Sequence, residues 1–140
     1  MLLAHDEDAL PGGLSLKIRR RAGSIWEGDW AQGMGWLRPA LTEGFPLRPN
    51  IDFSFSGITP EQVVTGYTPA DSSDVLAGYY VGWVRSTVAT IGTFSHGSGS
   101  GIVCTLPLAN GYAVNPLAGA LTNRLIELLV APDFAPAKTL

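Results

Sequence analysis

Apolar and polar residues alternate most cleanly in two stretches of the chain. Over residues 14–20, Leu14, Leu16 and Ile18 fall on one face and Ser15, Lys17 and Arg19 on the other. A period of two marks a half-buried strand. Residues 51–56 repeat the pattern, with Ile51, Phe53 and Phe55 inward. Residues 75–94 are the most β-prone part and predict two strands that meet near Arg85 and Ser86. Gly78, Gly82 and Gly92 would permit bulges or close backbone approach there. Residues 95–101, rich in Gly and Ser, are expected to be a flexible loop. A strand is expected over 102–108, then Asn110-Gly111 as a tight hairpin turn leading into 112–114.

Helical periodicity is rarer. Asn115 and Pro116 carry the signature of a helix start, and Leu117, Ala118, Leu121, Leu125, Leu128 and Leu129 form an apolar stripe that ends before Pro132. The spacing predicts a C-terminal helix near 116–130. Thr59-Pro60-Glu61-Gln62 has the grammar of a capping box and predicts a short helix near 59–65, cut off by Gly66 and Pro69. Residues 22–50 show no clean period. They hold Trp26, Trp30 and Trp36 among recurring Gly and Pro, and are expected to be a long structured loop with a short strand around Ile25 and Trp26.

The expected fold is mainly β: an antiparallel β-sandwich or small barrel with the two helices appended. Parallel βαβ units would need a helix between successive strands, and the pattern offers none. One domain over 14–131 is expected, between an N-terminal arm (1–13) and a C-terminal tail (132–140).

Composition adds a constraint on the surface. Of 140 residues, 46% are hydrophobic and only 15% charged, where about a quarter is usual. Mean hydropathy is +0.18. A surface so poor in charge favours burial against other protein. The net charge of −3 argues against nucleic acid as a partner. No run approaches the roughly 20 apolar residues of a membrane span, and the acidic Asp6, Glu7 and Asp8 do not fit a signal peptide. Cys104 stands alone, so no internal disulfide can form, and a buried inert thiol is expected.

Candidate chemistry fails at named positions. In the loop His96-Gly97-Ser98-Gly99-Ser100-Gly101, neither Ser98 nor Ser100 has glycines at both offsets that a nucleophile elbow requires. A dinucleotide fingerprint would need glycine where Ile102 stands. His5 and His96 are isolated and no Cys/His cluster exists, so no metal and no cofactor are expected. The contact-making features are the basic cluster Lys17, Arg19, Arg20 and Arg21, and the tryptophans Trp26, Trp30 and Trp36. Trp and Arg are the residues that most often anchor protein interfaces.

These features point to a non-enzymatic structural protein that works by assembly. The general character suits a small bacteriophage virion component, such as a capsid decoration (cement) protein that binds a capsid as an oligomer, with a trimer expected. It would be made in the host cytoplasm and reside in the virion. A head–tail or tail accessory protein is a variant of that reading. A carbohydrate- or small-ligand-binding module using the tryptophans is a second reading, and a small enzyme with His96 as acid–base is a third.

Overall fold

The computed structural model describes residues 2–3, 10, 15–20, 35–45, 50–51, 53–81 and 84–137. The alternation at 14–20 becomes strand β2 (Lys17–Arg20), with Leu16 and Ile18 buried and Lys17 and Arg19 exposed. It pairs antiparallel with β5 (Gln62–Thr65). Around them run β1 (Leu2–Leu3), β3 (Gly35–Leu37), β4 (Asn50–Ile51), β6 (Val75–Val81), β7 (Val84–His96) and β8 (Gly99–Cys104). All belong to one open sheet, with a main path β1-β8-β7-β6-β3-β4. β2 and β5 branch from β7 where Val64 pairs with Ala89. The pairings are antiparallel except at β1, which runs parallel to β8.

The expected mainly β, antiparallel class is therefore what the chain adopts. The sheet is layered on both sides. One face packs Leu37, Ile91, Ile102 and Cys104 against Ala118, Leu121 and Leu125 of α3 (Pro116–Val130). The opposite face gathers Leu16, Ile18 and Val64 with Trp36, Tyr67, Ala89, Phe94 and Val103. β7 serves both faces by alternation, and a register slip against β6 changes which of its residues face each side. Between the pairs Ala77↔Ile91 and Gly78↔Ala89 it carries one extra residue, Thr90. Strict alternation would put residues 89 and 91 on the same side. The extra residue turns Ala89 to one core and Ile91 to the other.

α3 has the bounds its sequence predicts. The Asn115 side chain accepts hydrogen bonds from the Leu117 and Ala118 backbone N–H groups, at 2.9 and 3.3 Å. The chain beyond is tied down: Phe134 packs on the helix-side core, Ser95 donates to the Pro136 carbonyl, and Ala137 N–H donates to buried Asp74.

Six local expectations turn out differently. The helix expected near 59–65 is replaced by β5, because Val63 and Val64 are drawn into pairing with Arg19 and Ile18. The same Thr-Pro grammar operates nine residues later. There Thr68 donates from its N–H and its hydroxyl to Asp71 (2.9 and 2.8 Å) and opens a 3-10 helix, Pro69–Asp74. The strand expected over 51–56 is only the end of β4, followed by a 3-10 turn, Phe53–Phe55. The loop expected over 22–50 contains β3 and a short helix α1 (Pro39–Thr42), anchored by buried Trp36, Leu37 and Leu41. A strand at Ile25 and Trp26 would lie outside the described residues.

The loop expected over 95–101 is a tight hairpin. His96 pairs with Gly99, and Gly97 takes a positive φ of 58°, at the position where a II′ turn needs it. The hairpin turn near Arg85 and Ser86 falls instead between Val81 and Val84, so both residues lie in β7. Asn110-Gly111 makes no hairpin either. It closes a helical turn, α2 (Leu108–Gly111), and neither residue has the positive φ of a type I′ turn. Gly111 is needed for a different reason: a Cβ there would sit 2.8 Å from the Ala118 Cβ, so its absence lets α2 lie against α3.

Candidate functional site

The residues singled out from sequence do not converge. Lys17 and Arg19 occupy the outward side of β2, and Arg20 is exposed at its end. The buried side of the same strand contributes Leu16 and Ile18 to the cluster that holds Trp36. Alternation thus sends Lys17 and Arg19 away from the tryptophan. Arg21, Trp26 and Trp30 lie outside the described residues. His96 is exposed at the tip of the β7–β8 hairpin.

Trp36, only 2% exposed, belongs to the core, yet it also lines a concave site. Its indole N–H donates to the Tyr79 carbonyl at 3.3 Å, which fixes the ring against β6. Arg38, two residues on, lies 5.9 Å from the ring centroid, and Arg85 from β7 lies 4.9 Å from it. Both distances fall within cation–π range. Arg38 is held rigidly: Nε donates to the Val75 carbonyl at 2.8 Å and an Nη donates to the Ser72 carbonyl at 2.5 Å. These bonds use two of its five N–H groups.

The result is a groove of about 450 Å³ lined by Trp36, by Arg38 and Arg85, by Ser72, Ser86 and Thr87, and by the apolar Val75 and Pro69. The ion pairs among the described residues belong to Arg124, which binds Glu43 and Glu127 and ties α3 to the turn after α1. Neither Arg38 nor Arg85 has a carboxylate at that distance among the described residues. Sequence reasoning found Trp36 and missed both arginines. Arg38 was legible as a near neighbour of Trp36; Arg85 was not, because it arrives from almost fifty residues away.

Two other groups lie too deep for chemistry at neutral pH. Burial pushes the Cys104 thiol from its usual 9.0 up to about 12, partly offset by a hydrogen bond with the Leu106 backbone. Burial, and then the charges of Asp74 and Asp71, raise the Tyr67 phenol well above its ordinary range. Its hydroxyl donates to the Thr93 carbonyl at 3.0 Å. Among the described residues, no three His, Cys, Asp or Glu side chains gather where they could hold a metal. No helix among them is long and apolar enough to cross a membrane. Compared with protein-family models, curated proteins and solved structures, the chain matches none of them.

Proposed function

We propose that this is a non-enzymatic structural protein that acts by assembly, as an oligomer and as part of a larger particle. A small bacteriophage virion component is the setting that best suits its composition, with capsid decoration as the leading role and a head–tail or tail position as the variant. The observation that carries the assembly reading is an apolar edge along α3. Ile126 and Val130 are one helical turn apart and 46% and 73% exposed. Asn123 continues the same side, and its side chain accepts a hydrogen bond from the Tyr112 hydroxyl. Tyr112 is 51% exposed, and Val114, in the turn that enters the helix, is 82% exposed.

Single exposed hydrophobic residues are ordinary on protein surfaces. Two on one helix edge, with exposed Tyr112 and Val114 in the segment that enters the helix, on a chain with so few charges, form the kind of surface that contacts bury. Light scattering on the purified protein is the direct test: a discrete oligomer that Ile126→Glu or Val130→Glu dissociates supports the reading. A wild-type monomer at high concentration would defeat the oligomer. The genomic neighbourhood tests the virion setting separately, since genes for a portal, terminase and major capsid protein should flank this one. Neighbours encoding metabolic enzymes would remove it.

A further inference from the structure

We propose that the groove above Trp36 is a binding site for an oxyanion, a carboxylate or phosphate group, gripped between Arg38 and Arg85. It lies on the sheet face opposite α3, so it stands apart from the assembly edge and from the reading built on it. Three observations converge on it. The two guanidinium groups approach the same indole from different strands, β7 and the residue after β3, and share one cavity wall. Neither has a carboxylate partner among the described residues, although the chain as a whole carries more acids than bases. Arg38 is locked in place by the Val75 and Ser72 carbonyls, which satisfy part of its donor set and none of its charge.

Both guanidinium groups belong to residues that line one cavity, so an anion lodged there is attracted by each of them. Guanidinium N–H groups match the geometry of carboxylate and phosphate oxygens, and such charge-assisted bonds are stronger than neutral ones. Ser72 and Thr87 also line the groove, and Val75 and Pro69 give it apolar residues for the rest of the ligand to meet. A volume of about 450 Å³ exceeds what one oxyanion fills, so the ligand carries its anionic group on a small organic body or on a side chain.

The test follows the Nε–H signals of Arg38 and Arg85 by NMR in isotope-labelled protein. The probes are inorganic phosphate, citrate and a blocked glycine-glutamate-glycine tripeptide, each compared with sodium chloride at equal ionic strength. The expected result is a saturable shift of both signals with at least one probe. Response to phosphate alone would assign a phosphoryl ligand, response to citrate a small carboxylate, and response to the tripeptide alone a carboxylate borne by protein. Arg85→Gln, at an exposed position, should keep the wild-type melting temperature and weaken that probe by about tenfold or more. Shifts no larger than those with chloride, or undiminished affinity in Arg85→Gln, would overturn the proposal.

Discussion

The two faces of the sheet are packed by different means. On the α3 side the core is almost wholly aliphatic, with leucines and isoleucines from the helix and strands meeting between them. On the other side, aromatic rings are set into places where the backbone carries no side chain. Tyr67 lies over Gly92, and the Phe94 ring covers Gly101, where a Cβ would come within 2.6 Å of it. The aliphatic face is filled by volume and can be built from many similar side chains. The aromatic face depends on particular ring–glycine pairs and on hydrogen bonds such as the one from Tyr67 to Thr93, so it tolerates less change in shape. It is also the face that carries the groove with Arg38 and Arg85.

Four experiments probe this contrast. Leu121→Ala removes a fully buried side chain from the aliphatic core and should cost about 2–5 kcal/mol in a urea unfolding curve. Leu121→Met, which conserves volume, should recover most of that loss. On the aromatic face, Gly92→Ala adds a methyl group where the Tyr67 ring already lies. Such overpacking costs about 1–3 kcal/mol. Combining it with Tyr67→Leu should give less than the sum of the two single losses, and strict additivity would show that the ring and the glycine are not coupled. Asn115→Ala touches neither core. It removes the acceptor for two N–H groups at the start of α3 and should cost about 1 kcal/mol.

The smallest effect at neutral pH is the titration of one group from each face. Cys104 and Tyr67 have folded-state pKa values raised above those of the unfolded chain. The stability they protect is fully present below the unfolded values, and is lost as pH rises through 9 toward about 12 for Cys104. Unfolding midpoints should therefore hold steady through neutral pH and fall above 9. Cys104→Ala should blunt the first part of that fall and Tyr67→Phe the later part. At pH 8 the folded thiol should resist alkylation until the protein is unfolded.

The stretches that were legible in the sequence share a property: their pattern is long enough to be its own evidence. The helix at Pro116–Val130 combines a cap, a Pro at its first position and a leucine stripe over several turns, and the fold leaves its bounds unchanged. The alternation of Leu16, Lys17, Ile18 and Arg19 likewise survives in β2. Short signals fared worse. Thr59-Pro60-Glu61-Gln62 and Asn110-Gly111 each describe only a few residues, and a few residues contribute too little local free energy to resist pairing or packing from elsewhere. The Thr59 hydroxyl donates to the Phe55 carbonyl behind it, and no helix follows.

The sequence by itself therefore determined the β class, the C-terminal helix with its Asn115 cap, the half-buried face of β2 and a surface poor in charge. Each depends on periodicity or composition, which neighbouring residues carry together. Only the tertiary structure decided the rest. It set the register slip that divides Ala89 and Ile91 between two cores, the packing of Gly111 on Ala118, and the meeting of Arg38 with Arg85 over Trp36. Those arrangements join residues far apart in the chain, and their energies exist only once the strands between them have paired.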